Sequence, residues 1–132
     1  MFTLTPQDTQ TSNVVVAGTI PVCYYDVRVL FDPAATHSFI SSVFASKVAC
    51  QPSKMLYPLS MATPLSDELE TNVFFPSCPV LVEGRELPAD LVLLNIIGFD
   101  VILGMDWLAQ YCANVDFCAK EVIFRIPDEN EF

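Results

Sequence analysis

Apolar residues in this chain follow two rhythms, and the change between them separates its elements. From Val14 to Cys23, Val and Ile are dense, while Gly18 and Pro21 interrupt any helix. From Tyr24 to Asp32, Tyr25, Val27, Val29 and Phe31 alternate with Tyr24, Asp26, Arg28 and Leu30, the period of two that a strand requires. Together these segments predict a β-hairpin turning near Pro21 to Tyr24. Over residues 36–50 the spacing changes: Phe39, Ile40, Val43, Phe44 and Val48 fall mostly three and four apart. That predicts a short helix, with Thr36 or Ser38 as its N-cap and Pro52 just beyond its end.

Residues 55–82 read as a long hairpin followed by another strand. Its polar tip, Ser66 to Glu68, is either a loop projecting over a groove or a plain surface turn. Pro76 and Pro79 predict a sheet edge or a bend, and residues 84–87 a turn. Residues 89–98 are rich in branched apolar side chains and predict a buried strand. Val101 to Leu103 reads as a strand, Gly104 as a tight turn, and Asp106 as the cap of a short helix that carries Trp107, Leu108 and Tyr111 and stops near Ala113 and Asn114. Residues 115–126 predict a hairpin turning at Ala119 and Lys120. There are no internal repeats, and the pattern implies a small β-barrel or sandwich with one or two short helices.

With 132 residues, 52% of them hydrophobic and 17% charged, the chain has the size of one compact domain. Chemistry that needs two matching halves must therefore take the second from another chain. The domain expected over residues 14–126 lies between a polar arm or linker, residues 1–13, and an acidic tail, residues 127–132.

The net charge is -10, and the acids are unevenly spread: residues 61–132 hold thirteen acids against three bases. Such a surface repels phosphate backbones and anionic lipid, so neither nucleic acid nor membrane is an expected partner. No apolar run reaches the roughly 18 residues of a membrane span, and the first residues lack the basic and apolar segments of a signal peptide. This favours an intracellular product. Cys23, Cys50, Cys78, Cys112 and Cys118 form no CxxC pair and His37 is the only histidine. The cysteines read as small hydrophobes of a reducing compartment, with no metal or cofactor implied. His37 reads as a structural hydrogen-bonding or exposed group rather than a catalytic one.

The sharpest chemical feature is VLFDPAATHS, in which an apolar strand delivers Asp32 to its end and the chain turns at once through Pro33 and Ala34. Backbone N–H groups in such a turn hold a carboxylate in a fixed direction. A strand-end Asp before Pro is also a common turn residue. Asp106 reads as a structural helix cap and Asp100 as a turn or surface residue.

The segments VVVAGTIPV, VLFDPAATHSFIS, ADLVLLNIIGFDVILGMDWL and VDFCAKEVIFRIP, in that order over residues 14–127, resemble the aspartic protease domain of plant-type Ty3/Gypsy LTR retrotransposon polyproteins, a retropepsin relative. The resemblance implies an all-β, retropepsin-like acid-protease barrel of a single lobe. It places Asp32 at the catalytic position and Pro33, Ala34, Ala35 and Thr36 in the active-site loop, with His37, Ser38 and Phe39 completing the run. Ile102, Leu103 and Gly104 would support that loop from behind. The hairpin around Thr63 to Thr71 would be the substrate-covering flap, and Val29, Ile102 and the flap would form subsites.

The resemblance also implies a homodimer with one Asp per chain, a second copy of the same chain as partner, an extended polypeptide substrate, and no cofactor or metal. In such a pair, close like charges favour one protonated and one ionised carboxylate. The chain departs from the family pattern at Pro33, which lacks the hydroxyl and N–H of Ser or Thr, and at Ala34, where the family has Gly. Should position 34 need a positive φ, its Cβ would cost on the order of 1 kcal/mol. Those departures leave two further readings: a catalytically impaired dimerisation module, and a small acidic β-domain that binds peptide.

Overall fold

The computed structural model describes residues 2–3, 16–63, 66–127 and 129–132, with 2–3, 56–63 and 66–71 described by backbone alone. The elements are β1 (Phe2–Thr3), β2 (Val16–Val22), β3 (Tyr25–Phe31), β4 (Ser38–Ser41), α1 (Ser42–Ala45), β5 (Ser53–Thr63), β6 (Ser66–Cys78), β7 (Leu81–Val82), β8 (Arg85–Glu86), β9 (Ala89–Leu94), β10 (Val101–Leu103), α2 (Met105–Gln110), β11 (Ala113–Asp116) and β12 (Glu121–Phe124). This is the mostly-β single domain with two short helices that the sequence predicts.

A seven-stranded sheet in the order β2-β3-β10-β4-β9-β6-β5 forms the body, with a three-stranded sheet β1-β12-β11 and a small β7-β8 ribbon beside it. β2 and β3 pair as the predicted hairpin, turning through Cys23 and Tyr24 at φ 51° and 67°. Two successive left-handed residues match the twist of a tight hairpin. β10 enters between β3 and β4, parallel to the first and antiparallel to the second. That insertion brings residues more than sixty positions apart into one hydrogen-bonded layer, and the Asp32 loop grows from it.

Both faces of this sheet are covered. Val29, Phe31, Ile40, Val101 and Leu103 face the main core, while Leu30, Phe39, Val92 and Ile102 form a second cluster on the opposite side. Trp107 centres the main core, with its ring 5.6 Å from Phe124 and 5.4 Å from Tyr111, and its Nε1 donates to the Leu87 carbonyl at 2.9 Å. A buried indole needs that acceptor, because a lone N–H in an apolar core costs about 1–3 kcal/mol.

Several local expectations change. Residues 38–41 are a strand and only Ser42–Ala45 is helical, capped by Ser41 Oγ, which accepts the Phe44 N–H at 3.1 Å. β4 lies in mid-sheet with Phe39 and Ile40 buried on opposite faces, so adjacent positions are apolar and the run imitates a helix. Ser66 to Glu68 belongs to β6, and the connection at 64–65 lies outside the described residues. α2 ends at Gln110, and Ala113 and Asn114 open β11 instead. Gly104 rather than Asp106 is the N-cap of α2. At the C-terminus Phe132 is buried, stacked on Phe124 at 4.9 Å and joined to it by two backbone hydrogen bonds.

Candidate active site

β3 carries the chain to Asp32, whose N–H donates to the Leu103 carbonyl of β10 at 2.9 Å. Immediately after, the Ala34 N–H donates to Asp32 Oδ1 at 3.0 Å and the Ala35 N–H to the Asp32 carbonyl at 3.1 Å. Pro33 fixes its own φ at the corner of this turn and has no N–H to satisfy. The carboxylate is therefore aimed by backbone on one oxygen. Its other oxygen, Oδ2, is buried and accepts no hydrogen bond from any described residue, the one such side-chain atom among them. An unpaired buried acceptor of this kind costs about 1–3 kcal/mol, more when charged.

Support comes from β10 and the start of α2. The Met105 N–H donates to the Ala35 carbonyl at 2.7 Å. Gly104 lies so close beneath the loop that an added Cβ would meet the backbone oxygens of His37 and Ala35, the latter at 2.7 Å. The Gly104 N–H donates to Ser38 Oγ at 3.0 Å, and Ser38 Oγ in turn donates to Asp106 Oδ1 at 2.7 Å. Asp106 Oδ2 also accepts the Ser38 N–H at 3.3 Å. Ser38 is wholly buried, so its hydroxyl depends on these partners.

The loop residues Pro33, Ala34, Ala35 and Thr36 thus lie together with Asp32, and Leu103 and Gly104 touch the loop directly. Ile102 acts one step removed, paired with Leu30 and Phe39. Ala34 is exposed and is not among the residues with positive φ, so its Cβ brings no left-handed strain to the turn. His37 Nδ1 lies 2.9 Å from Thr36 Oγ1, a local hydrogen bond beside the loop. Asp100 accepts the Arg28 N–H at 3.0 Å through Oδ2 and extends the β3–β10 contact.

Two residues change role. Val29 is fully buried in the main core, not in a subsite; its neighbour Leu30 shares the opposite face with Ile102. On that face Ala35 of the loop, Met55, Phe74 and Phe99 are only partly buried and pack against the cluster of Leu30, Phe39 and Ile102. Asp106, read as a cap, instead ties the loop to α2. The signal that could have found it is that Ser38 and Asp106 are each followed directly by a core aromatic, Phe39 and Trp107, but a one-dimensional pattern does not display their pairing.

No described group near Asp32 gathers metal ligands. At the other end of β3, roughly 20 Å away by strand rise, the sulfurs of Cys23, Cys50 and Cys78 lie within 4.8 Å of one another. A hydrogen bond with Cys78 holds the Cys23 thiol down at about 7, while Cys78 itself is pushed upward by the same contact.

The description "Retroviral aspartyl protease" belongs to the family whose model matches residues 1–130. Among solved structures, the retroviral protease-like domain of Ddi1 from Leishmania major is similar, with TM-score 0.62 at 16% identity, covering 89% of this chain and 92% of that one. EIAV protease complexed with the inhibitor HBY-793 is similar as well, with TM-score 0.58 at 19% identity, covering 76% and 90%. No curated protein sequence matches the chain. At these identities the two structures speak for the retropepsin-like fold alone, and the family match, which spans nearly all of the sequence, carries the assignment: the chain belongs to the retroviral aspartyl protease family.

Proposed function

We propose that this chain is the aspartic endopeptidase domain of a Ty3/Gypsy-type LTR retrotransposon polyprotein, acting inside the cell as a homodimer that cleaves its own precursor. The observation that carries this reading is the unpaired, buried Oδ2 of Asp32 beside an Oδ1 already fixed by the Ala34 N–H. One chain supplies one such carboxylate. A second copy related by a two-fold axis would bring its own Asp32 alongside, and a proton shared between the two would give the unpaired oxygen its partner.

With one carboxylate ionised and one protonated, the ionised member takes a proton from water as the water oxygen attacks the peptide carbonyl carbon. The protonated member gives its proton to the carbonyl oxygen. Collapse of the tetrahedral intermediate breaks the C–N bond: the amine leaves with the proton first taken from water, while a hydroxyl of the intermediate returns its proton to the other carboxylate as the C=O bond re-forms, which restores the shared-proton state. The two groups titrate as a unit, so neither copy is permanently acid or base. An extended peptide with apolar side chains flanking the scissile bond suits the partly buried surface of Ala35, Met55, Phe74 and Phe99.

Pro33 favours a second reading, a retropepsin-like module with weak hydrolysis, because it has neither hydroxyl nor N–H to give to a network around the paired carboxylates. The test is cleavage of an extended apolar peptide by the wild-type chain and by Asp32→Asn. The proposal expects turnover in the first and its loss in the second with the fold retained. Equal turnover in both would remove Asp32 from the chemistry, and absence of turnover in both would support the weakly hydrolytic module.

A further inference from the structure

We propose that Cys23, Cys50 and Cys78 form a three-thiolate site for Cu(I), placed to clamp the base of the β5–β6 hairpin. The three residues are distant in sequence, yet their sulfurs lie within 4.8 Å of one another, with Cys23 Sγ and Cys50 Sγ 3.5 Å apart. Three sulfurs each about 2.3 Å from a central ion in a plane are separated by about 4 Å, so the observed spacing needs only small side-chain adjustments.

The backbone holds these positions without help from sulfur. Cys23 occupies the β2–β3 turn at φ 51°, and its N–H donates to the Pro79 carbonyl at 2.8 Å. Val22 bridges to Val80 next to it. Ser77 has φ 52°, where the β6–β9 register shifts between Phe75 and Cys78. That bulge sets the inward course of Cys78, which is fully buried.

The choice of ion follows from the donor set. Among the described residues no histidine, carboxylate or fourth cysteine joins the group, whereas structural zinc sites take four protein ligands. Soft thiolates select Cu(I) and Zn(II), and a set of three in a largely buried position suits the three-coordinate monovalent ion. On binding, each S–H bond gives its proton to solvent as an S–Cu bond forms. Copper stays in the +1 state throughout, so no oxidant or reductant is consumed.

Position in the fold gives the site a consequence. Cys50 lies three residues before β5 and Cys78 closes β6, so the two bracket the hairpin, and Cys23 links them to the β2–β3 turn. A bound ion would pin the base of that hairpin to the body of the domain.

The experiment uses the full chain, reduced and kept free of oxygen, titrated with Cu(I) buffered by bathocuproine disulfonate and in parallel with Zn(II). Expected are one Cu(I) per chain, a thiolate-to-copper absorption band, three sulfur neighbours by X-ray absorption, and a rise in melting temperature on loading. Cys50→Ser, at the half-buried position, should weaken Cu(I) binding at least tenfold. The double variant Cys112→Ser with Cys118→Ser, which keeps all three proposed ligands, should retain one Cu(I) per chain, and this holds the test open should Cys50→Ser fail to fold. Uptake of neither ion, uptake lost in the double variant, or four-coordinate Zn(II) that Cu(I) does not displace would each overturn the proposal.

Discussion

Asp106 Oδ1 accepts the hydroxyl hydrogen of Ser38 at 2.7 Å across sixty-eight residues of sequence, and the same hydroxyl receives the Gly104 N–H at 3.0 Å. Through that one buried serine, the first turn of α2 is fastened to the strand that follows the Asp32 loop. Asp106 touches no reacting atom in this arrangement. Its part is to hold the frame from which the loop is hung.

Replacing Asp106 with Ala leaves the buried Ser38 hydroxyl without an acceptor, at a cost of about 1–3 kcal/mol. Chemical denaturation should show that loss, and peptide turnover should fall with it. Asp32→Asn, by contrast, should abolish turnover while leaving the unfolding midpoint close to wild type. A matching loss of stability in both variants would contradict the division of roles.

Gly104→Ala puts a methyl group against two backbone carbonyl oxygens, those of His37 and Ala35, and neither can rotate away. Because the strand and the loop must separate to admit it, the expected destabilisation is about 3 kcal/mol. Thermal unfolding is the check, and an unchanged melting temperature would mean the loop and β10 do not pack as described.

Pro33→Ser with Ala34→Gly gives the loop a hydroxyl and an N–H that Pro33 lacks and removes one exposed Cβ. The variant should cleave an apolar peptide with kcat/KM about tenfold higher, as expected when a donor is added near developing charge. The Ala34 change alone should contribute little, since that residue carries no left-handed strain. Lower activity in the double variant would show that the DPA turn is itself the working form.

What the sequence displayed, and what it hid, follows from how far apart partners lie. The β2–β3 hairpin was legible because alternation and turn are local, and so was the turn at Asp32, the residue directly after β3. β4 was misread because a strand buried on both faces sets Phe39 beside Ile40, removing the alternation that betrays a strand. The Ser38–Asp106 link and the Cys23–Cys50–Cys78 cluster join residues that only the sheet order brings together, so no spacing rule announces them. Val29 was read into a subsite for a similar reason: alternation shows that it and Leu30 face opposite ways but not which of the two faces packs the main core.

The acidic tail is held down as part of the fold. Phe132 stacks on Phe124, and the Arg85 guanidinium sits 3.7 Å over its ring while Nε of the same residue donates to Glu129 at 2.8 Å. Phe132→Ala should cost about 3 kcal/mol, the low end for losing a buried phenyl ring. Glu131→Gln, which weakens only an exposed pair with Arg125, should change stability by less than about 0.5 kcal/mol. Denaturant midpoints of the two variants separate these effects.

The central claim is that one Asp32 from each of two chains makes a single catalytic unit. It is tested most directly by mixing wild-type chains with Asp32→Asn chains at constant total concentration, allowing exchange, and measuring peptide turnover. If both carboxylates are needed, activity follows the square of the wild-type fraction, so an equal mixture retains about one quarter of full activity. A linear decline, with about one half retained in the same mixture, would mean that each chain works alone and would contradict the account.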